Sequence, residues 1–192
     1  MVNFSLFNKI KYELLNNGLS STFLIHNSWG KKCDIEKYLD EKKLNYIIKK
    51  YKDKPFARHY RDDFSNDNRS SYGHREMNID YKLIDLISKE YDCKYTSTGR
   101  YWYKPNEFLG WHTNSNLLGE RLYVVWAEED NKSFFKYKDK KTGKIITKWE
   151  KKGWQINRFE PPIWHCVGSY TNRVSFGFKK LLLDETLDGD RL

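Results

Sequence analysis

Apolar residues in the first half of this chain recur at helical spacing; in the second half they fall into short runs separated by turn residues. Leu6, Phe7, Ile10, Tyr12, Leu14 and Leu15 predict a helix over residues 5 to 17, with Gly18 placed to cap its C-terminus. Ile35, Tyr38, Leu39, Leu44, Ile47 and Ile48 predict a second over 34 to 51, opened by Asp34 as N-cap. Ile79, Leu83, Ile84 and Ile87 share one face of a third over 79 to 91, after Asn78. Ser65 to Gly73 is polar and without period, and reads as a loop. Strands are expected over 95–103, 121–127, 132–138, 144–150, 154–159, 163–167 and 173–180. Asp139-Lys140-Lys141-Thr142-Gly143 is a hairpin turn signal, and Pro161-Pro162 and Gly168-Ser169 punctuate the later strands. Helices first and short antiparallel strands second predict an α+β chain, mainly β, with a β-sandwich or jelly roll braced by N-terminal helices. No repeat or linker marks a boundary, so one domain is expected over 1–192, with helical support over 1–94, a strand-built core over 95–180 and a tail over 181–192.

Composition adds detail to this picture. At 192 residues the chain is long enough for a real core, and the 17% of aromatic residues predicts that much of it is Trp, Tyr and Phe. The net charge of +9 is compatible with an acidic partner, although a lysine-rich surface alone produces it. Eight of the lysines fall between Lys136 and Lys152, so one hairpin is strongly basic. It reads as a solvated edge that discourages strand-to-strand aggregation, or as an electrostatic guide for nucleic acid or an acidic protein. Phe134, Phe135, Tyr137 and Trp149 are interleaved with these lysines; they would suit base stacking, or alternation sends them into the core. Cys33, Cys93 and Cys166 show no paired spacing, which points to a reducing compartment and away from a thiolate zinc site. No stretch approaches a membrane span and the first residues lack a signal-peptide pattern, so a cytoplasmic protein without a membrane partner is expected.

The candidate chemistry lies in the last third. His112 stands in Gly110-Trp111-His112-Thr113-Asn114, His165 in Pro162-Ile163-Trp164-His165-Cys166, and Arg173 and Ser175 in Asn172-Arg173-Val174-Ser175-Phe176. Imidazole is the commonest metal ligand, and two histidines on separate strands can meet across a barrel mouth. Non-haem Fe(II) oxygenases combine two histidines with one carboxylate. A strand-borne Arg offers a bidentate fork for a cosubstrate carboxylate, and a hydroxyl two residues later points to the same side. Where a carboxylate would be expected, two positions after His112, the chain carries Asn114. Cys166 would face away from His165 on a regular strand, Trp126 reads as core, and His26, His59 and His74 have no partner spacing.

Tyr103-Lys104-Pro105-Asn106 followed by Gly110-Trp111-His112-Thr113-Asn114, then Gly153 to Phe159 before Trp164-His165, then Asn172-Arg173-Val174-Ser175, together resemble prolyl-hydroxylase-like 2-oxoglutarate/Fe(II) dioxygenases over residues 95 to 180. The resemblance implies a double-stranded β-helix, a cupin-like jelly roll. It implies iron contacts at His112 and His165, and 2-oxoglutarate contacts at Arg173 and Ser175, with Tyr103 a phenol donor to the same carboxylate. It also implies O2 as a reactant and succinate and CO2 as products of a hydroxylation. His112 to Asn116 followed by Gly119-Glu120-Arg121-Leu122 is similar to aspartate/asparagine β-hydroxylase-like enzymes, in which a non-carboxylate follows the first histidine. Three readings of Asn114 stay open: a weak amide ligand, a position taken by water, or the mark of a site that has lost iron. Arg121 either touches cosubstrate or substrate, or begins its strand. Both resembled groups act on proteins, so a protein or peptide side chain is the first expectation for the substrate. The alternative is a metal-free jelly-roll binding module whose basic hairpin holds nucleic acid.

Overall fold

The structure, a computed structural model, describes residues 2–16, 24–25, 35–53, 73–74, 79–114 and 119–181. Its elements are α1 (Ser5–Asn16), β1 (Leu24–Ile25), α2 (Ile35–Tyr38), α3 (Glu41–Lys50), β2 (Gly73–His74), α4 (Ile79–Tyr91), β3 (Tyr95–Tyr103), β4 (Glu107–His112), β5 (Arg121–Ala127), β6 (Ser133–Lys138), β7 (Ile145–Trp149), β8 (Gly153–Phe159), β9 (His165–Ser169) and β10 (Arg173–Lys180). Two four-stranded antiparallel sheets run β3-β10-β5-β8 and β4-β9-β6-β7; β1 and β2 pair separately. Apart from the β6–β7 hairpin, successive strands from β3 to β10 alternate between the two large sheets. That winding is a double-stranded β-helix, the expected cupin-like jelly roll.

Three apolar clusters follow from this layering. On the outer face of the first sheet, Phe7 and Ile10 of α1 and Leu83 and Ile87 of α4 pack on Leu122, Val124, Val174, Phe176 and Phe178. On the outer face of the second, Ile35, Leu39, Leu44 and Ile47 pack on Phe108, Trp111, Phe134, Trp164 and Cys166. Between the sheets, Tyr103, Phe135 and Val167 form the centre of a smaller cluster with Tyr101, Leu109, Tyr137 and Phe159. Each fully buried side chain of this size contributes about 1.5–3 kcal/mol, so the two outer clusters anchor the helices to the sheets. Close approach has a local cost: a Cβ at Gly168 would lie 2.9 Å from Ile35 Cγ2 and closer still to the Phe134 ring.

Several boundaries move. The helix expected over 34 to 51 is broken at Leu39–Asp40, and Asp40 caps the second piece by accepting from Lys43 N through Oδ1 at 2.7 Å. A cap that competes for the backbone ends one helix and starts another. β4 was not among the expected strands, because Gly110 and adjacent aromatics obscure its alternation. β9 starts at His165, not at 163, and β1 and β2 were not expected. Gly18, Cys33, Asp34, Asn78, residues 65–72, His26, His59 and the tail from 182 lie outside the described residues.

The basic hairpin uses most of its aromatics internally. Phe134 belongs to the outer cluster and Phe135 to the cluster between the sheets, whereas Trp149 is 45% exposed. Lys136 does not reach into solvent freely either: its Nζ donates to Leu39 O at 3.1 Å. The turn is held by Asp139, whose carboxylate accepts from Thr142 N and Oγ1, both at 2.7 Å. No helix among the described residues is long and apolar enough to cross a membrane.

Candidate functional site

Register brings the two histidines together. His112 on β4 and His165 on β9 are direct cross-strand partners, although about fifty residues of chain separate them. A register shift between Leu109 and His112 makes this possible. Regular alternation would put Leu109 and His112 on opposite faces; the irregularity aims both between the sheets and turns Trp111 outward. There the Trp111 indole donates to Asp40 O at 3.2 Å, which ties the shifted strand to the α2–α3 junction. The imidazole centroids are 4.0 Å apart at 54°.

Both rings are oriented in the same way. Nδ1 of His112 lies 2.8 Å from Gly110 O, and Nδ1 of His165 lies 2.9 Å from Ile163 O. A carbonyl can only accept, so Nδ1 carries the proton and each neutral ring keeps its lone pair on Nε2. This backbone partnership is what orients histidine ligands in metal sites. Asn114 Nδ2 lies 3.3 Å from His165 Nε2, so the amide borders the same position. Among the described residues no group of three His, Cys, Asp or Glu side chains converges. The donor set is therefore two imidazoles and one amide, which suits Fe(II) or a similar transition metal at two positions and supplies no carboxylate at the third.

A cavity of about 80 Å³ surrounds the pair, well above the roughly 10–15 Å³ that one water needs. Its lining shows the period of two: Tyr101 and Tyr103 on β3, Arg121 and Tyr123 on β5, Asn157 and Phe159 on β8, His165 and Val167 on β9, Arg173 and Ser175 on β10. Thr98, Leu109, Asn114 and Phe135 complete it. Thus His112, Asn114, His165, Arg173, Ser175, Tyr103 and Arg121, each singled out in the sequence, all face one space. Trp126 does not; it packs against the helical cluster of the first sheet. Cys166 likewise faces the other cluster, where burial pushes its thiol up.

Arg173 has a partner, Glu150, that no motif in the sequence indicates. Its Nε and Nη2 donate to Oε2 and Oε1 of Glu150 at 2.7 and 2.8 Å, and Ser133 Oγ donates to Oε2 at 2.6 Å. Both members of this pair are nearly inaccessible. Burial works against the guanidinium charge, but Glu150 beside it more than offsets this and holds Arg173 above its ordinary value. The guanidinium also lies 5.1 Å from the Tyr103 ring centroid. Burial drives the Tyr103 phenol well up, against the pull of Arg173. Burial raises the Tyr123 phenol too, with Arg121, Thr98 and Asn114 opposing. Arg121 is buried; its Nε and Nη1 make no hydrogen bond, while the residue is engaged through other contacts.

Glu150, Tyr123, Asn157 and Phe159 were not singled out in the sequence, and Phe135 was named there only among the aromatics of the basic hairpin. Tyr123 and Asn157-x-Phe159 carried the same alternation signal as Arg173-x-Ser175. Glu150 carried none, standing as an acidic residue between lysines and a tryptophan.

No family model matches the chain, and no curated protein does. Similar solved structures include a 2OG-Fe(II) oxygenase family protein from Burkholderia pseudomallei, at 10% identity and a TM-score of 0.46 over 94% of this chain and 92% of that one. A cupin-like protein from Thermotoga maritima aligns at 11% identity and a TM-score of 0.35 over 61% and 83% of the two chains. Peruvianin-I, a cysteine peptidase from Thevetia peruviana latex, aligns at 13% identity and a TM-score of 0.34 over 45% of this chain and half the length of that one. Scores this low support no argument about function, and the jelly roll rests on the chain's own strand order.

Proposed function

We propose that the protein is an Fe(II)- and 2-oxoglutarate-dependent oxygenase that hydroxylates its substrate, with His112 and His165 as the two protein imidazoles at the metal. The observation that carries this reading is the cross-strand pair whose Nδ1 atoms are both held by backbone carbonyls, which makes Nε2 the nitrogen through which each ring would bind, that of His165 exchanging its 3.3 Å contact with Asn114 Nδ2 for the metal. Bound iron with O2 would supply oxidative decarboxylation of 2-oxoglutarate to succinate and CO2, coupled to hydroxylation.

The chain's own residues then have separate tasks. His112 and His165 fix the metal position, and their backbone partners prevent either ring from turning. Asn114 borders the third position, where a neutral amide or a water in its place completes the set. Phe135 and Phe159 pack against His165, with centroids 5.4 and 4.9 Å from it, and keep bulk water from that side. Arg173 spends two N–H groups on Glu150, so that pair is neutral as a unit and shapes the wall. We assign the distal carboxylate of the cosubstrate to Arg121, which lines the same cavity from β5, with the hydroxyls of Tyr103, Ser175 and Tyr123 within the same lining.

Anaerobic titration with Fe(II) and then 2-oxoglutarate tests the assignment. The wild-type protein is expected to bind one iron and to develop visible absorption when 2-oxoglutarate is added. His112→Ala and His165→Ala should each lose the absorption and the iron-dependent succinate. Retention of both by either variant would remove that histidine from the centre.

A further inference from the structure

A second cavity, of about 110 Å³, adjoins the first. Phe135, Asn157 and Phe159 line both, and Tyr137, Lys148 and Arg158 complete the second. The shared rings are the two that flank His165, so this space is one ring's thickness from the imidazole pair.

Its walls and its outer end differ in character. Phe135 and Phe159 have centroids 5.2 Å apart, and Phe135 and Tyr137 5.9 Å, so the interior is flat and apolar. At the hairpin side, Lys148 Nζ lies 5.5 Å from the Tyr137 ring centroid. β6–β7 register pairs Lys148 with Phe135, which places this lysine on the inward face of the hairpin while Thr147 and Trp149 face out. Arg158 contributes wall rather than charge, because its guanidinium is stacked 4.2 Å from the Tyr91 ring on the outer side. Among the described residues no Asp or Glu lines the cavity. A single ammonium, an amide and aromatic walls recognise an anion carried on a flat apolar body.

We propose that this cavity is the primary-substrate subsite, and that it takes a small molecule bearing an oxyanion, carboxylate or phosphate, on a body about the size of one aromatic ring. The oxyanion meets Lys148, and the ligand's body lies along Phe135 and Phe159 up to Asn157, which borders the first cavity as well. The role as substrate subsite rests on the oxygenase reading above; the binding itself does not. The small volume and the inward Phe135 favour a small ligand over a nucleic-acid strand, which would need a row of exposed rings, whereas among the described hairpin residues the exposed ring is Trp149.

Phenylacetate and phenyl phosphate, titrated separately into the metal-free full chain and followed by calorimetry, test this. At least one should bind with 1:1 stoichiometry, and the tighter one identifies the oxyanion. Lys148→Ala should weaken it about tenfold, the cost of one charge-assisted contact. Lys140→Ala, in the exposed turn of the same hairpin, should leave it unchanged. The titration uses metal-free protein, so a failed metal assignment leaves this result standing. If neither probe binds, or Lys148→Ala binds as tightly as wild type, or Lys140→Ala weakens binding equally, the subsite is wrong.

Discussion

Glu150 is the residue on which the cavity wall most depends. It accepts from Arg173 twice and from Ser133 once, and it is 1% exposed. Removing one member of such a pair leaves the other charge buried and alone. Glu150→Ala should therefore lower stability by about 3–5 kcal/mol in urea denaturation. Replacing both members by Met should recover most of that loss, since the desolvation cost goes with them. A single substitution that costs no more than an exposed one would show that solvent reaches the pair. The histidines differ in kind. They could be picked out because imidazole is the commonest metal ligand, whereas Glu150 could be found only once the fold had closed over it.

Among the elements, β4 is the decisive one. Its shift between Leu109 and His112 converts a pleated strand into one that buries Trp111 outward and His112 inward. The α2–α3 junction supports that shift from outside, through Asp40 O and the Trp111 indole. Asp40 has a second task, since its side chain caps α3. Asp40→Ala should cost about 1 kcal/mol through the lost cap alone, with the backbone acceptor kept. Thermal unfolding measures this; a change near zero would mean that water replaces the cap. β5 and β10 matched their expected bounds, and so did β3 despite a register shift against β10 between Gly177 and Phe178, because each run is long enough to show its period. β4 did not, because an irregular strand breaks the period that would reveal it.

Beside the buried Arg173–Glu150 pair, the molecule buries a thiol and two phenols between and behind its sheets. Burial raises the Cys166 thiol above its ordinary value of 9.0, and the Tyr103 and Tyr123 phenols above 10.0. Below these ordinary values the groups are protonated in both folded and unfolded chains. Above them the unfolded chain ionises first and holds fewer protons, so the stability of the fold falls as pH rises. Each such group contributes a slope of about 1.4 kcal/mol per pH unit above its ordinary value. The urea midpoint should hold steady up to about pH 8.5 and drop by pH 11, and Tyr103→Phe should reduce the drop. A midpoint that is constant over this range would contradict the burial of these groups.

The amino-acid order alone was enough to place helices before strands, to predict a jelly roll, and to pick out His112, Asn114, His165, Arg173, Ser175, Tyr103 and Arg121. Periodicity and side-chain chemistry are local properties that can be read without coordinates, and Tyr103 and Arg121 came from what the family resemblance implies. The pairing of His112 with His165, the capture of Arg173 by Glu150, and the second cavity behind Phe135 and Phe159 depended on folding. Each joins residues from strands distant in the chain, and cross-strand register and the packing of two sheets decide which of them meet.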